Sequence, residues 1–417
     1  MTILIRKALV KDIHSPFNNK VCDLLIKQGR IDQISENIET EADQIIEQEN
    51  LTVSPGWVDI FTSGSDPGFE FKDRLHNIAA SAAKGGFTHV FLTPNSKPVV
   101  QNKTSIQYIT HNPHTEPVRF HPIGAITKNA EGKELAEMFE MKEAGAIAFS
   151  DGNKPVQSSG LIIKAMQYVK AFDGVLIQVP DDHSVSPGGQ MNEGIVSTQI
   201  GLPGKPSIAE EIIVSRDIEL AEYTNSKVHL TGITTQKSLQ LIEDAKQKGV
   251  QVTCSVTPQH LYFCDKDVDG YDTNLKFNPP LRTESERKGL LDAVRAGKID
   301  IITTHHTPQN TDLKICEFEY AGYGAIGLES AFGVLGALGL DTDQILSAIC
   351  FKPRKIFGLT SSINIGEIAD ITFFKPNETY EFKTTDIKSS CNNSPFIGKT
   401  LTGKVVASIL HLKSNQN

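Results

Sequence analysis

From residue 57 onward the chain alternates short, densely apolar runs with longer amphipathic stretches. The runs are WVDIF (57–61), THVFLTPN (88–95), RFHPIGAIT (119–127), AIAFSD (146–151), VLIQVP (175–180), VHLTGI (228–233), VQVTCSVT (250–257) and IDIITTHH (299–306). Each is short, rich in β-branched residues and apolar on consecutive positions, the pattern of a strand buried on both faces. Helical spacing falls between them, at 73–85, near 99–112, at 133–144, 158–171, 207–223, 236–248 and 284–296, and then at 326–340 and 341–350. The segment 180–205, rich in Gly, Pro and Ser, is expected to be a long loop. Roughly eight strand–helix units in about 300 residues predict an α/β fold with parallel strands closed into a TIM-type (β/α)8 barrel. No glycine-rich phosphate loop follows the first strand, which disfavours a dinucleotide-binding sheet.

Both ends of the chain change to β grammar. Residues 2–10 read as a strand, and 17–49 as short hairpin segments. Residues 370–375, 378–383 and 402–412 read as strands around turns. The expected organisation is a small β-sandwich domain built from both termini, 1–54 with 355–417, around a barrel at 55–354.

Composition narrows the function classes. The 417 residues carry a formal charge of −9, which argues against a surface built to neutralise a nucleic-acid backbone. No run reaches the roughly 20 apolar residues of a membrane span. The first fifteen residues have no secretory pattern. The six cysteines lie at 22, 254, 264, 316, 350 and 391, with no close pair, and suit free thiols in a reducing compartment. A cytoplasmic location is the expectation.

Candidate chemistry enters through ordered motifs: DPG (66–68), GGFTHVFLTPNSKP (85–98), GAITKNAEGKEL (124–135), GAIAFSDGNKPV (145–156), MNEG (191–194), GLPGKPSIAE (201–210), VTPQHL (256–261), KFNPPLR (276–282), GKIDIITTHH (297–306) and GEIADITFF (366–374). Together they resemble dihydroorotase of the amidohydrolase superfamily, in the branch found beside aspartate carbamoyltransferase. The resemblance implies reversible cyclisation of N-carbamoyl-aspartate to dihydroorotate. It also implies a zinc ion that polarises the amide carbonyl and readies a hydroxide, an acidic residue that shuttles the proton, and an arginine and an asparagine that hold the substrate carboxylate.

Position by position, the chain departs from that plan. Phe61 and Ser63 stand where the resemblance places two zinc-binding histidines. Ser65 stands for the carboxylate-binding arginine, Val179 and Gly232 for further histidines, His305 for the catalytic aspartate, and Gln309 for another histidine. Asp151 remains of the metal shell, and Asn95 of the substrate shell, with Asn278, Arg282 and His260 as further substrate-site remnants. Catalytic zinc needs three protein ligands and an open position, so no metal cofactor is expected here. A site rebuilt from His305, Asp151 and His183 is the competing possibility. His305 and His306, read as strand residues, point to opposite faces, so only one reaches the mouth. His229 is expected to pack or hydrogen-bond, Lys128 to be structural or exposed rather than a carbamylated metal bridge, and Asp151 to cap following backbone amides.

Three classes of function follow. One is a non-catalytic relative acting as a structural partner of aspartate carbamoyltransferase, with a homodimer expected from the resemblance. A second is a working dihydroorotase or other cyclic amidohydrolase with an atypical metal site. A third is a small-molecule sensor, with Asn95 and Arg282 meeting an anion at the barrel mouth.

Overall fold

The computed structural model describes residues 2–410. Chain order gives strands β1 (Thr2–Val10), β2 (Val21–Lys27), β3 (Arg30–Ser35), β4 (Gln44–Glu47) and β5 (Thr52–Pro55). Next come β6 (Trp57–Thr62), β7 (Phe87–Leu92), β8 (Arg119–Gly124), β9 (Ala148–Phe149) and β10 (Val175–Gln178). The short β11 (Met191–Asn192) and β12 (Gly204–Lys205) pair with each other. They are followed by β13 (Lys227–Thr231), β14 (Val252–Val256), β15 (Ile301–Ile302), β16 (Asp370–Glu381) and β17 (Thr400–Leu410). The last two residues of the strand expected at 402–412 lie outside the described residues.

Eight strands run in the order β15-β14-β13-β10-β9-β8-β7-β6, with parallel pairing throughout. The first and last strands meet through side chains rather than a ladder. Buried Asp59 on β6 accepts from Thr303 Oγ1 at 2.9 Å and from the Thr304 amide at 2.6 Å. The Ser63 amide donates to the His306 carbonyl at 2.8 Å. The fold is thus an α/β, TIM-type (β/α)8 barrel with a β-sheet domain attached. Its interior holds Val58, Ile60, Phe61, Ile123, Ile177, Val179 and Ile301. A larger apolar layer, including Trp57, Phe87, Phe149 and Leu230, lies between strands and helices.

The terminal strands make one seven-stranded sheet, ordered β17-β16-β5-β1-β2-β3, with β4 beside β1. It is anchored to the barrel by a buried charged group. Asp370 on β16 accepts from Arg354 at 2.6 Å and Thr88 Oγ1 at 2.7 Å, and lies 3.0 Å from His89 Nε2. His89 Nδ1 lies 2.8 Å from His121 Nε2. The same guanidinium donates to the Gly56 carbonyl, where the chain passes from sheet to barrel.

Three expectations need correction. The helix predicted at 133–144 is confined to Met138–Glu143. Upstream, the amides of Lys128 and Ala136 donate to the carbonyls of Glu134 and Ile126, closing a turn instead of a helix. The helix predicted at 326–340 runs only over Ala331–Ala337, because the Gly327 and Leu328 amides donate to His306 Nδ1. The predicted loop at 180–205 carries β11, β12 and a helix at Ile195–Ile200. Among the described residues no helix is long and apolar enough to cross a membrane, and all six cysteines are free thiols.

Candidate functional site at the barrel mouth

The segments leaving the C-terminal ends of β6, β7, β14 and β15 converge on a cleft of about 540 Å³. They bring Ser63 and Ser65, Asn95, Thr257 with His260, and Thr304 with His305 to its walls. This is the end of a parallel barrel where the strand-to-helix loops meet and where reacting groups are normally carried.

The positions at which the resemblance expects zinc ligands have three fates. Phe61 is buried in the barrel interior, and its ring lies 4.6 Å, centroid to centroid, from that of His305. Val179 is buried in the same apolar group. Gly232 has φ +75°, and a Cβ there would stand 3.1 Å from His305 Cε1, so the imidazole lies against the space a side chain would need. Ser63 lines the cleft.

Asp151 does not line the cleft. Its Oδ1 accepts from the amides of Ile126 and Thr127, each at 2.9 Å, and its Oδ2 accepts from Thr127 Oγ1. Burial pushes its carboxyl up to about 6 against the pull of those donors. The amides it caps precede it on the neighbouring strand–loop, rather than following it as the sequence led us to expect.

Histidines at or near the mouth are engaged with hydroxyls and carbonyls. His260 Nε2 donates to the Pro279 carbonyl at 2.9 Å, which leaves Nδ1 to accept from Thr257 Oγ1 at 2.7 Å. His305 Nε2 lies 2.7 Å from Thr231 Oγ1, which accepts from Ser255 Oγ. Ser255 Oγ is in turn 3.0 Å from His229 Nε2, and His229 Nδ1 is 2.8 Å from Thr253 Oγ1. Burial lowers His229 and His260 to about 4 and His305 to about 3, so all three are neutral at pH 7. His306 is buried away from the cleft, with Nδ1 accepting backbone amides. The two adjacent histidines do face different ways, but not through strand alternation. β15 ends at Ile302, and His305 has φ +45°. His183 is half-exposed, lies outside the cleft and stands 3.6 Å from Asp181. Lys128 is exposed, paired with Glu134 and also outside the cleft.

These residues do not fit a zinc ion. His305 Nδ1 is the one ring nitrogen at the cleft wall without a hydrogen bond among the described residues, whereas a catalytic zinc takes three protein ligands. Among the described residues no group of three or more His, Cys, Asp and Glu side chains is arranged to hold a metal.

The substrate-shell remnants also separate. Asn95 and Asn278 line the cleft. Asn278 Oδ1 accepts from Lys205 Nζ at 2.8 Å, and that ammonium is paired with Asp181 at 2.7 Å. Arg282 does not reach the cleft, which corrects its expected part in meeting an anion. It is buried, with Nε donating to Thr234 Oγ1 and Nη1 donating to the Lys205 carbonyl and to Asn192 Oδ1. Its guanidinium ties the β11–β12 segment to the loop after β13.

Several cleft groups were not singled out in the sequence. Lys72 and Lys154 line the cleft, and no Asp or Glu does. Neither ammonium has an ion-pair or hydrogen-bond partner among the described residues, and burial lowers the pKa of Lys72. Gln259 lines the cleft beside His260. Lys72 lies in FEFKD, an ordinary polar stretch whose place only the closed barrel reveals.

Comparison with known proteins shows what the chain is similar to. Residues 51–238 match the family model described as dihydro-orotase-like. The chain is 37% identical over 413 residues to a dihydroorotase of Ruminiclostridium cellulolyticum, covering 97% of this chain and 96% of that protein. It is 39% identical over 400 residues to a dihydroorotase of Acetivibrio thermocellus, covering 94% of each. Among solved structures, an L-hydantoinase (dihydropyrimidinase) from Arthrobacter aurescens superposes with a TM-score of 0.85 at 21% identity, over 98% of this chain and 94% of that one. This last likeness concerns the fold alone.

Proposed function

We propose that this chain, which belongs to the dihydroorotase-like family, is a member of pyrimidine biosynthesis that has lost zinc-dependent turnover and serves as a structural partner of aspartate carbamoyltransferase. The observation that carries this reading is the fate of the ligand positions: Phe61 and Val179 are packed into the barrel interior and Asp151 is spent on the 126–127 backbone. A scaffold that keeps its frame without its electron-pair donors has its surface left to act with. Homodimerisation and a cytoplasmic setting belong to the same proposal, and the free thiols suit a reducing compartment.

The test combines metal content, turnover and assembly. Protein purified without chelator is expected to carry well below one zinc per chain and to show no dihydroorotase activity with added zinc. It is expected to co-migrate with the cognate transferase on size exclusion; two independently migrating peaks would refute the partnership. A second reading, an active cyclic amidohydrolase with an atypical metal site, draws support from dihydroorotases at 37–39% identity over nearly the whole chain. Stoichiometric zinc together with turnover of dihydroorotate would establish it in place of the first.

A further inference from the structure

Three segments outside the barrel strands, 191–202, 265–275 and 311–320, stand together. Their inner side chains, Leu202, Val268, Leu275 and Phe318, share one buried apolar group. Tyr271 Oη donates to the Ile200 carbonyl at 2.7 Å, and Thr273 Oγ1 to the Lys314 carbonyl at 2.7 Å, so the segments form one cap. The outer side of this cap is apolar as well. Ile195 is 78% exposed, Ile315 80% and Tyr320 74%, with Tyr271 also exposed. Tyr271 and Ile315 line one shallow depression. Side chains so open to water add almost nothing to folding through burial. Single exposed apolar residues are ordinary on a protein surface, but several gathered on one small cap mark an interaction site.

Charge on the cap has one sign. Glu193, Asp267, Asp269, Asp272, Glu317 and Glu319 are exposed. None of them is paired with a Lys or Arg side chain among the described residues. Asp272 adjoins Tyr271 and Glu319 adjoins Tyr320, so the carboxylates surround the apolar side chains. Lys266 is the exposed cation of these segments. Lys314 is turned inward, and its ammonium donates to the Thr273 and Gly322 carbonyls at 2.8 and 2.7 Å. An apolar centre with an unpaired charged rim is the anatomy of a contact face whose charges steer and select a partner. The sign of the rim decides against a second copy of this chain. A two-fold contact sets the same patch against itself, which here would bring carboxylates against carboxylates.

We infer that this cap is a docking surface for a protein whose contact face has an apolar centre and a Lys/Arg rim. Ile195, Tyr271, Ile315 and Tyr320 supply the contact area, and the carboxylates supply steering and register. A desolvated apolar centre governs how slowly a complex comes apart, whereas rim charges govern how fast it forms. The two parts of the surface therefore have separable kinetic signatures. Under the partnership with aspartate carbamoyltransferase proposed above, on which this rests, the transferase brings the basic face and this chain meets it with the cap. Homodimerisation is left to another face.

Surface plasmon resonance tests it, with the cognate transferase immobilised and the full-length chain in solution. Association is expected to slow as salt is added, because the screening length shortens from about 10 Å at 0.1 M to about 3 Å at 1 M. Asp269→Lys combined with Glu317→Lys is expected to slow association about tenfold at the lower salt and to remove most of its salt dependence, with dissociation little changed. Ile195→Ser combined with Ile315→Ser is expected to speed dissociation about tenfold, with association little changed. Ile45→Ser, which removes an exposed isoleucine from β4 of the terminal sheet, is expected to change neither rate. Urea unfolding of each variant verifies that it is folded. Rates that are the same in both cap variants as in the unaltered chain, or a loss as large in Ile45→Ser, would overturn the surface and leave the partnership standing. No complex with the unaltered chain would overturn both. Self-association that the cap variants abolish would make a second copy the occupant and overturn the pairing of acidic with basic faces.

Discussion

Asp151 shows how burial and local donors set a carboxyl's protonation. Its carboxylate is buried among the amides of Ile126 and Thr127, with burial as the dominant influence on its pKa, raised to about 6 from an ordinary 3.8. Folding therefore favours the protonated form. Its contribution is fully present below about pH 4 and is lost as pH rises to about 6, an effect on the order of 3 kcal/mol for a shift of about two units. Asp151→Asn preserves the accepting oxygen and removes the charge. In urea unfolding the variant is expected to match or exceed the parent at pH 7 and to lose that advantage between pH 6 and pH 4; a difference constant across that range would contradict the assignment. Phe61 makes the complementary case. It is 3% exposed and packs against His305, so Phe61→Ala is expected to cost about 3–5 kcal/mol in the same measurement. A loss below 1 kcal/mol would mean that the ring does not contribute to the packing against His305. The sequence identified Phe61 and Asp151 as site positions, but it could not say where their side chains point. For Arg282 the inference from position to role failed outright. Its partners Thr234, Asn192 and the Lys205 carbonyl come from segments distant in the chain, and nothing local announces them.

At the scale of elements, the apolar runs identified the barrel strands because each is buried on both faces. The helix Leu75–Gly85 was equally legible, with its glycine stop. Gly86 follows it at φ +85°, with its amide directed to the carbonyls of Ala82 and Ala83. An added Cβ would stand 2.7 Å from Trp57 Cζ3 and 2.8 Å from Thr372 Cγ2. Backbone preference and packing thus act together, and Gly86→Ala is expected to destabilise by about 2–4 kcal/mol. Thermal and urea unfolding measure this, and a neutral result would show that the junction of helix, β6 and β16 can yield. The elements that sequence misjudged are those whose backbone donors are taken by side chains or by distant carbonyls. The start of the predicted helix at 326 is the clearest example, since its amides serve His306. The 180–205 segment went unread for a related reason. β11 and β12 are two residues each and pair only with one another, too short for any period to register.

The whole molecule joins a barrel to a terminal sheet through charge, and it fills the barrel with neutral imidazole. Asp370 is held well below the ordinary carboxylate range by Arg354 and His89 despite its burial. His89 and His121 are lowered chiefly by burial, as are His229, His260 and His305. In the unfolded chain these imidazoles take up protons near pH 6.5, whereas His229 and His260 do so only near pH 4 when folded. Each of those two depressed groups contributes stability that is complete above pH 6.5 and falls by about 1.4 kcal/mol per pH unit on acidification towards 4. Asp151 and Asp217, both raised to about 6 mainly by burial, act in the opposite sense over the lower part of that window. Six lowered imidazoles, His114 among them, outnumber the three raised carboxyls of Asp151, Asp217 and Glu211, so the balance goes to acid lability. The urea midpoint is expected to fall steadily from pH 7 to pH 4.5, and to fall more steeply in Asp151→Asn, which lacks one of these counterweights. His260→Gln is expected to flatten the curve, since the amide can still donate to the Pro279 carbonyl but takes up no proton. A midpoint that rises across the same interval would mean that the histidines are charged in the native state. That would place positive charge inside the barrel, which the apolar packing of Phe61 and Val179 makes untenable.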